Sequence, residues 1–240
     1  VVQTVEVNEA LISGEYSFVR VRVERACHGR YFATARLAHA EREVSVANLR
    51  DVQNQPPKER NRNGLLDPGE DDGEVRRVSL VNSGRSAREI ELTSYAELVL
   101  ATAAADNAHP AFSKLFVQTE FLPEFGALLA SRRPRSHGES PLWAAHFAVV
   151  EGEITADIQY ESDRARFLGR GGSAGRAAAM QGDTPLSNTA GTVLDPVFSL
   201  RQRVRIAPGK SARVAFWTLV APSRDELLRL VDKHHDRNAF

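Results

Sequence analysis

Residues 16–25 read YSFVRVRVER, and the pattern in this stretch sets the fold class. Val19, Val21 and Val23 alternate with positions that carry mainly charged side chains. A period of two residues places the valines on one face and the charges on the other, as a β-strand with one buried face requires. The stretch is therefore predicted to be a half-buried strand.

Similar β-type runs recur along the rest of the chain. They occupy residues 2–7, 31–37, 74–82, 89–100, 115–121, 143–150, 155–160, 201–206 and 213–220. Turn residues fall between two such runs at 82–84 and at 207–210, where glycine and proline supply the backbone angles that a reversal needs. Many strands with turn-rich connections predict a mainly β protein, a large antiparallel β-sandwich rather than an α/β fold.

Only two segments have helical character. Residues 123–131 begin with a proline and place leucines and a phenylalanine at helical spacing. Residues 223–236 begin with Ser223 and Glu226 in the spacing of a capping box, and Leu227 and Val231 form one apolar stripe. Both segments are predicted to be helices, and the second would be a C-terminal helix.

Composition argues against several classes of protein. The 240 residues include 31 basic and 31 acidic side chains, and this balance argues against nucleic acid as a partner. No run reaches the roughly eighteen apolar residues that span a bilayer, so direct membrane insertion by this chain is not expected. The one cysteine, Cys27, cannot form an internal disulfide.

Three separated segments carry a more specific signal. Residues 94–121 read SYAELVLATAAADNAHPAFSKLFVQTEF, residues 160–171 read YESDRARFLGRG, and residues 185–201 read PLSNTAGTVLDPVFSLR. None of them matches a nucleotide loop, a metal-ligand cluster or a nucleophile elbow. In this order they resemble the β-sandwich domain of glycoside hydrolase family 94, formerly glycosyltransferase family 36. The likeness is nearest to the phosphorylase-like C-terminal region of bacterial cyclic β-1,2-glucan synthases.

The resemblance implies a fold and a division of the chain. Residues 73–222 would form the core of a supersandwich similar to galactose mutarotase. Residues 223–240 would form a helix that leads toward an (α/α)6 barrel beyond this chain. Residues 1–72 match nothing in the family and are expected to add edge strands and a polar loop to the same sandwich.

The resemblance also implies a division of labour. In the family, the barrel carries the aspartate that acts as general acid, while inorganic phosphate attacks the anomeric carbon. This chain is therefore expected to be a non-catalytic accessory domain of a parent that acts on β-glucan by glycosyl transfer or phosphorolysis. Its expected partners are β-glucan through the parent, the barrel, and a second copy in a homodimer. The expected location is the cytoplasmic side, as part of an inner-membrane parent.

Six residues of these motifs are candidate carbohydrate-binding or domain-interface residues. They are Asp163, Arg166, Phe167, Arg170, His109 and Asn188. Arginine guanidinium groups and an exposed aromatic ring can bind sugar hydroxyls, a phosphate or a neighbouring acidic domain. The alternative is structural, with Asp163 and Arg166 paired to brace their loop and Phe167 in the core. His109 and Asn188 would then make hydrogen bonds within ordered loops.

A calcium loop is a further candidate at residues 59–70, which read ERNRNGLLDPGE. The candidate ligands, at the spacing of a twelve-residue calcium loop, are Glu59, Asn61, Asn63, Asp67 and Glu70. Glutamate at the first position, proline after Asp67 and the two arginines within the loop count against calcium. The alternative is a solvated polar loop that binds no ion.

Other chemistry-bearing residues favour structural roles. Asp195 and Pro196 are predicted to form a turn that leads into a strand, because proline fixes its own backbone and restricts the residue before it. The seven histidines show no ligand spacing, so no zinc site is predicted. Trp143 and Trp217 lie in strand-like runs and are predicted to pack in the core rather than to stack on sugars.

Three functional classes can be separated by their surfaces. An accessory domain should expose an apolar patch near the C-terminal helix, where the barrel would dock. A stand-alone carbohydrate-binding module, stabilised by calcium or not, should expose aromatic rings in an open groove. A hydrolase acting alone needs two carboxylates that converge in a cleft. The presence of only four tyrosines and two tryptophans favours the accessory domain.

Overall fold

A computed structural model describes residues 73–82, 85–101, 108–134, 141–172, 176–181 and 184–235. Within the first 72 residues it describes only the backbone of four strands: β1 (Val2–Gln3), β2 (Ser17–Val23), β3 (Phe32–Leu37) and β4 (Ala40–Ser45). The strand predicted from the alternating valines is confirmed by β2.

Strands dominate the rest of the described chain. They are β5 (Gly73–Val81), β6 (Arg88–Glu97), β7 (Val117–Leu122), β8 (Ala127–Arg132), β9 (Leu142–Glu151), β10 (Glu153–Ile154), β11 (Gln159–Asp163), β12 (Pro196–Ile206) and β13 (Ser211–Ala221). The helices are α1 (Pro110–Lys114), α2 (Arg164–Leu168) and α3 (Arg224–His235), with a 3₁₀ turn at Ala178–Met180. The predicted mainly β fold with a C-terminal helix is confirmed.

The described strands form two antiparallel sheets. The first has the order β1-β2-β6-β12-β10, and β11 also pairs with β12. The second has the order β4-β3-β5-β13-β9-β8-β7. Strands that are neighbours in sequence, such as β12 and β13, lie in different sheets, so the chain passes repeatedly from one sheet to the other.

The main core lies between the two sheets. Leu92 and Leu200 of the first sheet and Phe216 of the second are almost completely buried in one apolar cluster. Removing each such side chain from water stabilises the fold by about 1.5–3 kcal/mol, before the entropy cost of ordering the chain. The antiparallel sandwich is therefore held together by its inner faces.

The outer faces of both sheets are covered as well. On the second sheet, Leu227 and Val231 of α3 are fully buried and pack against a cluster that contains Phe147 of β9. On the first sheet, Phe167 and Met180 cover Tyr95 of β6. Helix α3 therefore packs on its own sandwich. Its predicted start is confirmed, since the backbone N–H of Glu226 donates to Ser223 Oγ at 3.2 Å.

Asn82 joins two connections that pass between the sheets. Its backbone N–H donates to the Lys210 carbonyl at 2.9 Å, and Gly209 N–H donates to the Asn82 carbonyl at 2.8 Å. Its side-chain Nδ2 donates to the Ile206 carbonyl at 2.8 Å. The turns predicted at 82–84 and 207–210 thus connect different sheets rather than the strands of one hairpin. Gly209 has a φ of 69°, which an L side chain rarely adopts.

The prediction of a helix at residues 123–131 is wrong. Residues 123–126 form the tight turn between β7 and β8, and Leu122 pairs with Ala127 across that hairpin. Leu128 and Leu129 are adjacent in β8 and both fully buried, because the sheet is covered on both faces. A strand buried on both sides loses its alternation, and its apolar spacing then resembles that of a helix. The strand predicted at 155–160 is also displaced, since β10 ends at residue 154 and β11 begins at residue 159.

Candidate functional site

The three segments singled out in the sequence meet at one end of the sandwich. We call this region the α1–α2 corner, defined by α1, α2 and residues 192–195 before β12. Lys114 Nζ lies 2.8 Å from Asp195 Oδ1, and Arg164 Nη1 lies 3.6 Å from Asp195 Oδ2. Arg164 Nε also donates to Glu97 Oε1 at 2.8 Å. A chain of ion pairs therefore ties both helices to β6 and to the start of β12.

Electrostatics favours the charged form of Arg164 and the neutral form of Tyr95 in this region. The hydrogen bond from Arg164 to the Glu97 carboxylate raises the pKa of the guanidinium, against a smaller effect of burial. Burial raises the pKa of Tyr95, and the neighbouring Glu97 charge adds to this effect. The Tyr95 hydroxyl accordingly stays protonated and donates to Glu97 Oε1 at 3.0 Å.

Local contacts explain why α2 forms after β11. Asp163 Oδ1 accepts a hydrogen bond from the backbone N–H of Ala165 at 2.8 Å, which caps the helix. The helix ends at Gly169, whose φ of 78° breaks the helical path. Phe167 is completely buried, and its ring stacks on Tyr95 with a centroid separation of 4.7 Å. This burial favours the structural alternative, in which Phe167 belongs to the core.

The candidate arginines lie on the outside of the same helix. Arg166 Nε is 3.7 Å from Asp163 Oδ2, and the Arg166 side chain is 59% exposed. Arg170 is exposed just beyond the helix. His109 is exposed at the N-cap of α1, and its carbonyl accepts the Ser113 N–H at 3.0 Å. A carbohydrate or interface role for these residues remains a prediction.

Residues 184–191 run beside β11 and bring Asn188 close to α2. Asn188 has a φ of 53°, and its Oδ1 accepts the Tyr160 backbone N–H at 2.9 Å. The neighbouring Ser187 hydroxyl donates to the buried Glu161 carboxylate and lies 3.5 Å from Arg166 Nη1. The structure thus brings Asp163, Arg166 and Asn188 into one region, and it uses the serine hydroxyl and the asparagine amide to hold the loop.

Arg201 is a buried cation that the sequence analysis did not find. Its Nη1 donates to the Thr184 carbonyl at 2.9 Å, and its Nη2 donates to the Ala179 carbonyl at 2.5 Å. Its Nε donates to Thr93 Oγ1 at 3.1 Å and lies 3.3 Å from Glu91 Oε1. Arg201 therefore clamps residues 179–184 onto the first sheet.

A second polar cluster, also missed, lies between the sheets. Ser94 Oγ is 2.8 Å from His146 Nε2, and His146 Nδ1 is 2.9 Å from Thr218 Oγ1. The imidazole lies parallel to the rings of Phe198 and Phe216, at centroid distances of 5.6 and 6.1 Å. Burial lowers the pKa of His146 to about 3, with a further contribution from the charge of Arg76. This histidine is a neutral core residue.

Both tryptophans pack against the apolar cluster to which the C-terminal helix contributes. Trp143 and Trp217 are half-buried in the cluster beneath α3, and the Trp217 ring stacks on His234 at 4.5 Å. The candidate calcium ligands at residues 59–70 lie outside the described residues, and that site stays a prediction. Within the part that is described, no three His, Cys, Asp or Glu side chains group as metal ligands. Of the described helices, none has the length and apolarity of a membrane span.

Comparisons with known proteins identify the family. The family model for the glycosyl hydrolase 94 supersandwich domain matches residues 67–237. The cyclic beta-(1,2)-glucan synthase NdvB of Rhizobium meliloti (strain 1021) is 43% identical over 171 residues, which make up 71% of this chain and 6% of that protein. A solved polysaccharide lyase aligns with a TM-score of 0.38 and 13% identity over 85% of this chain and 27% of its own. The chain belongs to the glycosyl hydrolase 94 supersandwich-domain family.

Proposed function

We propose that this chain is a non-catalytic accessory β-sandwich domain of a cyclic β-1,2-glucan synthase or a related glycoside phosphorylase. The observation that carries the proposal is the family match over residues 67–237, together with 43% identity to a glucan synthase. The chain spans only a small part of that relative. Glycosyl transfer or phosphorolysis on β-glucan, with inorganic phosphate as co-substrate, would belong to the parent.

Three partnered carboxylates, on β6, on β11 and just before β12, support a non-catalytic role. Glu161 is buried and accepts backbone N–H groups from Ser162 at 3.0 Å and Asp163 at 2.9 Å, besides the Ser187 hydroxyl. Glu97 and the aspartate before Pro196 are held in the ion pairs of the α1–α2 corner. Glycosidases instead hold two carboxyls across a scissile bond, with one of them free to donate a proton. These carboxylates have structural partners that such a role would have to break.

The proposal also includes the domain boundaries of the chain and the partners that it contacts. Residues 73–222 are the sandwich, residues 223–240 lead toward a barrel, and residues 1–72 complete the sandwich edge. Arg166, Arg170 and His109, all exposed at the α1–α2 corner, contact the barrel, a second copy or the glucan that the parent holds. The parent is anchored in the inner membrane, with this domain on its cytoplasmic side.

A stand-alone carbohydrate-binding module has less support. Phe167 is buried, and the two tryptophans pack against the apolar cluster to which α3 contributes. Phe121 and Tyr160 stack on each other at 3.9 Å, so each ring has one face covered by the other. A module that captures glucan unaided would need open aromatic faces in a groove.

The test of the proposed function uses the purified chain with linear β-1,2-glucan and inorganic phosphate. We expect no glucose 1-phosphate, and no new reducing ends in a phosphate-free control. Inverting phosphorolysis requires an acid that protonates the leaving oxygen, and the proposal assigns that acid to the barrel. Turnover that persists through repurification and disappears in a Glu161→Gln or Asp163→Asn variant would overturn the accessory role.

A further inference from the structure

Exposed apolar side chains gather at the α1–α2 corner. Among the described residues, Leu194 is the most exposed large apolar side chain, at 79%. Phe112 and Leu115 are 48% and 47% exposed. Isolated surface leucines are normal, but a contiguous apolar patch on a domain marks an interaction site. Of the described residues, none of the strongly exposed large apolar side chains lies on α3, near which the sequence analysis expected the patch of an accessory domain.

The three side chains belong to one surface. Thr192 forms a β-bridge with Gln118 at the start of β7, and Asp195 is held by Lys114 at the end of α1. Leu194 lies between these two tethers and is therefore fixed beside the junction of α1 and β7. Phe112 and Leu115 are three positions apart in helical conformation, which places them on the same side of α1.

The described residues of the corner include two arginines whose charge no carboxylate of the described chain pairs. The carboxylates of the corner are already paired with Lys114, Arg164 and Arg166. Arg133 and Arg170 are exposed, and neither has a carboxylate partner among the described residues. The Arg133 guanidinium lies 5.8 Å from the centroid of the Phe116 ring. An apolar centre with aromatic and arginine residues around it has the composition of a protein interface.

We propose that the α1–α2 corner docks onto another domain of the same polypeptide. Leu194, Phe112 and Leu115 enter an apolar pocket there, and Arg133 and Arg170 meet carboxylates at its rim. This inference rests on the proposed function, because it requires the longer parent, and it names both the surface and the chemistry of the partner.

The observations favour this occupant over two others. The matched region is 6% of the glucan synthase relative, so most of that polypeptide lies outside it. A second copy would bring the same arginines together across a two-fold axis, and like charges in an interface are costly. A glucan chain would stack on open aromatic faces, whereas Leu194 and Leu115 are aliphatic and the Phe112 ring already packs edge-to-face with the Phe116 ring at 5.1 Å.

The test places a photo-crosslinker in the natural full-length polypeptide that contains this chain. The variant Leu194→p-benzoylphenylalanine is compared with Ile154→p-benzoylphenylalanine, because Ile154 is also exposed, at 46%, but lies on β10. We expect crosslinks from position 194 to residues of the same polypeptide outside residues 1–240, and none from position 154. Crosslinks to a second copy or to glucan alone, no crosslinks, or a natural polypeptide without a further domain would overturn the proposal.

A charge reversal tests the carboxylate rim. Arg133→Glu combined with Arg170→Glu should lower crosslinking from position 194 by about tenfold, since like charges across an interface weaken association. Arg85→Glu, at an exposed arginine in the β5–β6 connection, is the matched control and should change nothing. An unchanged yield in the double variant would refute the acidic rim. If the isolated chain is inactive and the full-length polypeptide gives no crosslinks from position 194, the docking proposal is refuted and the accessory function is not. If the isolated chain is active, the accessory function is refuted.

Discussion

Two polar clusters in this sandwich differ in where they lie and in what they do. In the inter-sheet cluster, Ser94 and His146 are buried between two apolar layers, Thr218 is half-buried, and His146 is neutral near neutral pH. The α1–α2 corner is built from ion pairs whose side chains are partly exposed, such as Arg164 at 38%. Water screens the ion pairs of the α1–α2 corner but not the hydrogen bonds between the sheets. A single polar contact therefore contributes less to stability at the corner than between the sheets.

The difference separates residues that hold the fold from residues that are available to a partner. In the inter-sheet cluster, loss of His146 removes a hydrogen-bond partner of the buried Ser94 hydroxyl. At the corner, a lost partner is replaced by water at small cost, and the free side chain can be used in an interface. We therefore expect the first cluster to control stability and the second to control assembly.

The largest effect should come from truncating the buried imidazole. His146→Ala leaves a cavity between Phe198 and Phe216 and removes the partner of the Thr218 hydroxyl. We expect the free energy of unfolding to fall by about 3–5 kcal/mol. Urea denaturation measures the loss, with Ile154→Ala on the exposed edge as control. A loss below about 1 kcal/mol would contradict this expectation and would mean that the two sheets move together and fill the cavity.

Acid should destabilise the sandwich through the same residue. The native pKa of His146 is about 3 and the unfolded value is 6.5, so between these limits the unfolded state binds the proton and the native state does not. Stability should therefore fall with falling pH below 6.5, by about 1.4 kcal/mol per unit, and the loss should level off below the native pKa. Comparing unfolding of the wild type and His146→Gln between pH 5 and pH 6.5, above the carboxylate range, isolates this histidine. Equal slopes for both proteins would contradict the assignment.

A smaller effect is expected at the corner. Arg164→Met keeps the aliphatic stem and removes the charge that pairs with Glu97 and Asp195. We expect a loss of about 1–2 kcal/mol, because the carboxylate of Glu97 is largely buried while the arginine is partly solvated. The control is Arg213→Met, whose ion pair with Glu151 is exposed on both sides and should contribute under about 0.5 kcal/mol. Equal losses for the two variants would remove the distinction between the corner and an ordinary surface pair.

The smallest effect on stability, and the sharpest test of the comparison, is expected from Arg166→Ala. Its ion pair with Asp163 is long and exposed. The free energy of unfolding, measured by thermal unfolding, should therefore change by less than about 0.5 kcal/mol. In the full-length parent the same variant should nevertheless weaken glucan handling, which is measured as activity per folded molecule. A destabilised variant with unchanged specific activity would show that the arginine only braces its loop.

Local pattern predicted several features correctly. The alternating valines predicted β2, and Ser223 with its apolar stripe predicted α3. Asp195 and Pro196 were correctly interpreted as a turn that leads into a strand, since β12 begins at Pro196. In each case the signal is contained within about ten residues, as turn chemistry and amphipathic periodicity are.

The errors occurred where neighbours distant in sequence decide the outcome. The spacing of Leu128 and Leu129 was interpreted as helical. In a strand that is buried on both faces, apolar and polar residues do not alternate. The burial of Arg201 depends on carbonyl groups about twenty residues away, which no local pattern identifies. The role of His146 was not predicted, since its partners Ser94 and Thr218 are separated from it by 52 and 72 positions.

The sequence by itself determined the β class, the C-terminal helix and the family, because these follow from short-range periodicity and from motifs that stand in a fixed order. Only the tertiary structure decided which polar residues are sealed and which are exposed. Burial depends on the packing of two sheets and their covering segments, and it is burial that sets the neutral state of His146 and the structural role of Phe167. The apolar surface formed by Leu194 and α1 likewise depends on long-range contacts, the ion pair between Asp195 and Lys114 across 81 positions and the bridge between Thr192 and Gln118.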